Sequence, residues 1–243
     1  MKKLPLILLA IVAVISMSSC TKFMKTMIHT VADQEDLSGV SPADTVNIQK
    51  KIALTDSFSC IKADGAYNIA IVQGSNALTF DGRKVYLDNA IIKVSGDTLY
   101  VSSKEERFAR GIIAIKLPNA KYVETNGASD ITIFDFKQAE DLNIVTAGAS
   151  EMEVINSSFK NINIEISGAG DVKVKSVQMA NSYIESSGAA DIEMEHITAD
   201  TIRLEISGAG DVELSGNCKD LICNGNGAVD LDTEKLVIGG RKH

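Results

Sequence analysis

The pentapeptide SGAGD stands at residues 167–171 and again at 207–211, and the near-copy SGAAD lies between them at 187–191. The motif therefore recurs at i, i+20 and i+40. Working outward, glycine followed by alanine recurs at Gly127, Gly148, Gly168, Gly188, Gly208 and Gly227, each glycine following the last at a spacing between i+19 and i+21. Three positions after each glycine comes an acid: Asp130, Glu151, Asp171, Asp191, Asp211 and Asp230. Self-similarity at a near-constant period of this length marks a solenoid, in which each repeat buries its apolar face only by stacking on the next.

Within a repeat, the residues after the acid alternate apolar and polar, as in DVKVK (171–175), DIEME (191–195) and DVELS (211–215). Period two means strand. A second alternating run follows later in the repeat, NINIEIS (161–167) and TIRLEIS (201–207), and between the two lies a short piece carrying Val177 and Met179 or Ile197 and Ala199. Three short strands per repeat predict a triangular coil whose turns stack about 4.8 Å apart through parallel ladders. Residue i then sits over residue i+20, and columns of Ile, Val and Leu fill the interior.

Such a coil needs the same corner on every rung. Glycine is expected to supply positive φ there, alanine to fit the inside of the bend, and the acid to accept hydrogen bonds from turn amides. Repeated Gly-Asp turns also bind calcium in β-rolls, but that motif is nonapeptide-periodic and denser. The N-terminal half fits the coil loosely: Gly65-Ala66-Tyr67-Asn68 repeats the pattern with Asn for the acid, far ahead of Gly127. The interval from Gly65 to Gly127 is long enough for about three more turns, irregular enough to cap the open end, with strands expected at 66–72, 84–87, 91–94, 98–102 and 111–117.

The first residues read as an address. Lys2 and Lys3 precede an apolar run from Leu4 to Ile15, too short to span a bilayer, and Ser18 and Ser19 lead to Cys20. The pattern resembles a bacterial lipoprotein signal, which implies cleavage before Cys20, a lipid on its thiol and attachment to the outer membrane. We therefore divide the chain into a signal peptide (1–19), the lipidated Cys20 with a flexible tether (20–44) and one domain (45–243). With 24 basic and 32 acidic residues and a net charge of -8, a nucleic-acid partner is not expected.

The Gly-Ala-Gly-Asp steps at Gly168 and Gly208, the related step at Gly188 and the lipoprotein start together resemble the GIN-type head domain family, named for autotransporter adhesins of Bacteroidota-like bacteria. The segments FSCIKADGAYNIAIVQG (58–74), GDTLYV (96–101) and IAIKLPNAKYVETNGASD (113–130) carry the likeness, which covers about residues 50–238. It implies an all-β, right-handed single-stranded β-helix on a small envelope lipoprotein. The C-terminal AVDLDTEKLVIGGRKH departs from the family by lacking a Tyr-bearing closing strand.

The inventory of reactive groups is thin. His29, His196 and His243 lie far apart in the sequence, so neither a Ser-His-Asp triad nor a metal cluster can be built from near neighbours. No catalytic residue, metal or cofactor is expected. Besides Cys20 the chain has Cys60, Cys218 and Cys223; the last two fall in apolar columns, where buried thiols are favoured over a disulfide. Glu165, Glu185 and Glu205 form an outward column beside Asn163, Tyr183 and Arg203, which reads either as a partner-facing or cation-binding strip or as a solvated face balanced by Arg203. Glu153, Lys173, Glu193 and Glu213 form a second column, read as a structural charge ladder. Three functions stay open: an adhesin presenting a rigid face to a glycan or to an envelope or host protein, a periplasm-facing structural or stress-related lipoprotein, and a polysaccharide-cleaving enzyme with paired carboxylates.

Overall fold

The computed structural model describes residues 37–54 and 56–242; the signal segment, Cys20, His29 and His243 lie outside them. In chain order the elements are β1 (Asn47–Ile52), β2 (Cys60–Gln73), β3 (Ala77–Arg83), helix α1 (Lys84–Asn89), β4 (Ala90–Ser95), β5 (Thr98–Ser103) and β6 (Arg110–Leu117). Then come β7 (Tyr122–Gly127), β8 (Asp130–Phe134), β9 (Leu142–Ile155), β10 (Asn161–Lys175), β11 (Asn181–Ser186), β12 (Ile192–Ile206), β13 (Ala209–Gly225), β14 (Ala228–Ile238) and β15 (Arg241–Lys242). Parallel rungs stack into a β-solenoid of about 6 turns.

The register is the one the repeat predicts. Ile162 pairs with Leu142 and Ser182, Ile164 with Ile144 and Ile184, and Val172 with Met152 and Ile192. One side of the coil comprises 130–134, 151–155, 171–175 and 192–195; another comprises 122–127, 142–147, 161–167, 181–186 and 201–206. The short side between them is held by single bridges, Lys137 to Ser158 to Gln178 to Thr198. Alternation drives one set of residues inside: Ile133, Val154, Val174, Met194 and Leu214 form one buried column, and Val123, Ile144, Ile164, Ile184 and Leu204 another. On the short side Phe136 and Phe159 stack at 6.1 Å between centroids, in line with Val177 and Met179.

The glycine corner differs in two respects from its sequence reading. The alanines at 128, 149, 169, 189, 209 and 228 point outward and are exposed, whereas the residue after the alanine turns in, as Ser129, Ser150 and Ala190 do. Strand alternation through the corner places the alanine outside. The glycines, for their part, are required by close approach more than by φ. Gly127, Gly148 and Gly168 have φ of 106°, 120° and 131°, but Gly188 and Gly227 do not lie in the positive-φ region. At all six, a Cβ would come closer than 3.0 Å to the carbonyl oxygen of the glycine one rung earlier. That oxygen is the ladder acceptor: Ala189 N–H donates to Gly168 O (2.9 Å) and Ala209 N–H to Gly188 O (3.1 Å).

The N-terminal half departs further. The interval between Gly65 and Gly127 does not add three turns, because these two glycines are paired directly in adjacent rungs. Strand β2 lies between β5 and β6 on one edge and β7 and β8 on the other, so the chain leaves β2, builds a rung outside it and steps back over it. That outer rung is capped by antiparallel strands, β3 and then β1 on one side and β4 on the other. Residues 84–87, expected as strand, form the start of α1. Lys84 and Asp88 pair across one turn, Asn89 donates to Val85 O (2.9 Å), and Tyr86 packs on Phe108 at 6.3 Å. A run as short as KVYL carries too little periodicity to separate helix from strand. Leu37 and Val40, within the stretch read as tether, pack against the core.

The C-terminal cap is a hairpin rather than a Tyr-bearing strand. Ile238 pairs antiparallel with Arg241 across Gly239 and Gly240, whose φ of 57° and 78° are those of a primed turn.

Candidate functional site

The outward strip sits on the side containing 161–167, 181–186 and 201–206, where Glu165, Glu185 and Glu205 are aligned neighbours and Asn163, Tyr183 and Arg203 form the adjacent column. Tyr183 donates from its hydroxyl to Glu185 Oε2 (2.9 Å) and stands 3.1 Å from Glu205 Oε2. Arg203 grips Glu205 Oε1 through Nε (2.9 Å) and a terminal nitrogen (2.7 Å). The bond to Glu185, with partial desolvation and the second carboxylate, pushes the Tyr183 hydroxyl up to about 12. It therefore stays protonated at physiological pH. The bonds from Arg203 and Tyr183 hold the Glu205 carboxyl below its ordinary range.

The strip extends beyond the residues singled out from sequence. Lys62, Glu124, Val145 and Glu165 continue the glutamate column toward the N-terminus, and Tyr122, Asn143 and Asn163 continue the tyrosine column. Tyr122 donates to Glu124 Oε2 (2.8 Å), and Lys62 Nζ lies 2.5 Å from the same carboxylate and 5.4 Å from the Tyr122 ring centroid. Side-chain amides link rung to rung: Asn163 to Asn143 (2.8 Å), Asn161 to Asp141 (2.8 Å) and Asn181 to Asn161 (2.7 Å). A sequence signal existed. YVETNG at 122–127 and YIESSG at 183–188 share Tyr-x-Glu-x-x-Gly, and RLEISG at 203–208 places Arg where Tyr stood.

The motif acids lie along a different line. Asp130, Glu151, Asp171 and Asp191 edge a shallow trough of about 580 Å³, floored by Ala149, Ala169, Ala189 and Ala209, and Asp211 continues their column beyond it. Asp230 extends the same column by one rung. Two of the motif acids accept amide bonds, and these bonds cross rungs: Glu151 N–H donates to Asp130 (3.3 Å) and Asp211 N–H to Asp191 (3.0 Å). Burial raises the Asp130 carboxyl. Among the described residues, no three His, Cys, Asp or Glu side chains converge on a metal position.

In the second charged column Lys173 is in register with Glu153 and Glu193, yet its ammonium pairs diagonally with Glu151, while Lys175 pairs with Glu195. Burial pushes the Glu153 carboxyl up, aided by Glu151 and opposed by Lys173. Cys218 and Cys223 are free thiols, aligned with Ala199 and Leu204, and burial raises both. His196 stands at a bend with φ of 53°, in the αL conformation shared by Ser176, Asn156 and Asp135 one, two and three rungs earlier. These residue types tolerate αL better than β-branched ones, so the second corner was written in the sequence by conformation rather than by identity.

No curated protein matches this chain. A crystal structure from Bacteroides fragilis, described as a "putative adhesin", superposes with a TM-score of 0.61 at 18% identity, covering 78% of this chain and 99% of that one. Two more crystal structures with the same description match less closely: one from Parabacteroides distasonis at 0.46 and 14%, covering 78% and 98%, and one from Parabacteroides merdae at 0.45 and 15%, covering 77% and 96%. At this identity the Bacteroides fragilis protein shows the fold alone. The family model "Putative auto-transporter adhesin, head GIN domain" matches residues 57–176 and 163–240, which is most of the chain and nearly all of the solenoid. The protein belongs to the GIN head-domain family.

Proposed function

We propose that the protein is a non-enzymatic cell-envelope adhesin, held at the outer membrane through a lipid on Cys20, that presents its strip from Lys62 to Glu205 to a glycan or to an envelope or host protein. The observation that carries this reading is the mutual fixing of the strip's side chains. Tyr122, Tyr183 and Arg203 are each tied to a neighbouring carboxylate, so a ligand meets rings and polar groups already ordered, and less rotamer entropy is lost on binding. Connections between rungs are short and the charged columns lie on open strand surfaces. Such faces favour adhesion over cleavage of a chain that must be enclosed.

A second reading, a periplasm-facing structural or stress-related lipoprotein, is favoured by TKFMKTM after Cys20, which lacks an acid. Protease digestion of intact against lysed cells separates the two. Loss of the domain on intact cells supports the adhesin; protection until lysis sinks it. If the domain is outside, a glycan and matrix-protein array should yield a ligand whose affinity falls at least about tenfold in Tyr122→Ala and Tyr183→Ala.

A further inference from the structure

Among the described residues the large hydrophobics that stay exposed are Val46, Ile91, Ile222 and Leu231, and all four lie at the two ends of the solenoid. Val46 precedes β1 and Ile91 is in β4, at the N-terminal end; Ile222 closes the side carrying the strip and Leu231 closes the opposite side. The end strands also leave backbone edges open. Among the described residues β1 pairs only with β3, and β14 pairs with β13 on one edge, while β15 covers just Val237 and Ile238 on the other.

The two ends are complementary in charge and direction. Exposed Lys50 and Lys51 lie on β1, and on β14 the exposed charges are Asp230, Asp232 and Glu234 with a single cation, Lys235. Since β3 is antiparallel to β6 and β1 is antiparallel to β3, β1 runs the same way as the rungs. A second copy placed beyond β14 in the same orientation would continue the ladder as another parallel rung.

The columns even specify a register. Lys51 stands over Thr79, Ala114, Ala70 and Thr132, the head of the column that runs through Glu153, Lys173, Glu193 and Glu213 to Asp232. Likewise Gln49 heads the column that ends at Asp230, and Lys50 the core column that ends at Leu231. We propose that copies of this chain associate head to tail, β14 of one pairing with β1 of the next, so that Asp232 meets Lys51 and Asp230 meets Gln49. Because the contact is heterologous, it does not close into a dimer and generates fibres along the solenoid axis. In the same register Leu231 comes to lie under the aliphatic stem of Lys50, and the strip of each copy is repeated along one face of the fibre. This inference stands apart from the adhesin reading and does not need it.

The test is disulfide capture on cells expressing the full chain. Lys51→Cys with Asp232→Cys in one chain should give, on mild oxidation, a reducible ladder of dimers, trimers and larger species, while neither single variant does. The off-register pair Lys51→Cys with Glu213→Cys, with the second cysteine one rung earlier in the same column, should give no ladder. Absence of a ladder in the in-register pair overturns the proposal, as it would if residues 1–36 or another protein occupied the end. Dimers from Asp232→Cys alone would overturn it in favour of tail-to-tail pairing, and equal ladders from both pairs would reduce it to random collision.

Discussion

At the scale of single residues, the corner glycine and its alanine look interchangeable in the repeat and are opposite in the fold. A methyl at Gly188 would enter the space of the Gly168 carbonyl oxygen, which is already taken by the Ala189 amide. Gly188 lies outside the positive-φ region, so the penalty there is steric and not conformational. Overpacking and a weakened ladder bond together should cost Gly188→Ala about 3 kcal/mol. In a domain of this size that is a fall in Tm of roughly 6–12 °C. Ala189→Ser, one residue on and exposed, should stay within about 0.5 kcal/mol of the parent. Thermal unfolding of the two variants decides between the readings: equal losses would mean that inter-rung approach does not govern the corner.

At the scale of elements, stacking brings the carboxylates of successive rungs into columns, where partial burial biases stability toward mild acid on one side of the coil. The carboxyls of Asp130, Glu153 and Glu193 are raised, chiefly by burial. A raised acid binds its proton more tightly in the folded state, so its contribution favours folding below its unfolded pKa and is lost as pH rises through the folded value. Glu124 and Glu205, lowered by Lys62 and Arg203 respectively, act in the opposite sense and lose their contribution only as pH falls through their depressed values. Glu153→Gln should therefore raise Tm at pH 7, by an amount corresponding to about 0.5–1 kcal/mol after allowance for solvent screening, and the gain should vanish below the carboxylate range. A Tm difference that does not change with pH would mean that packing and not charge is responsible. The columns were legible because a constant repeat step sets residue i over residue i+20 whatever its type; Glu165, Glu185 and Glu205 needed only counting. Lys62 and Tyr122 escaped because their adjacency depends on β2 meeting β7 after a long excursion of the chain, and no period announces that. The αL corner escaped for another reason: Asp135, Asn156, Ser176 and His196 share a backbone tolerance and no side-chain chemistry.

At the scale of the whole molecule, a solenoid is a one-dimensional stack in which each rung meets only its neighbours, so its length is adjustable where a closed fold's is not. Removing residues 188–207 joins Ser187 to Gly208 and brings Gly208 onto Gly168, Val212 onto Val172 and Leu214 onto Val174. Every one of those columns keeps its residue class, and the new corner is again Gly-Ala-Gly-Asp. The excised rung takes with it Arg203 and Glu205, so the strip loses the second carboxylate beside Tyr183 but keeps Tyr183 itself and its bond to Glu185. The shortened protein should fold cooperatively with native circular dichroism, and its denaturant m-value should fall because less surface is exposed on unfolding. The same excision from the N-terminal half cannot succeed, because β2 is clasped between β5 and β6 on one edge and β7 and β8 on the other, and any cut there breaks a rung that the chain visits out of order. Equilibrium unfolding of the 188–207 deletion and of a deletion of equal length between Gly65 and Gly127 makes the contrast. If both unfold, stacking is not modular; if both survive, the out-of-order clasp does not hold the first rungs.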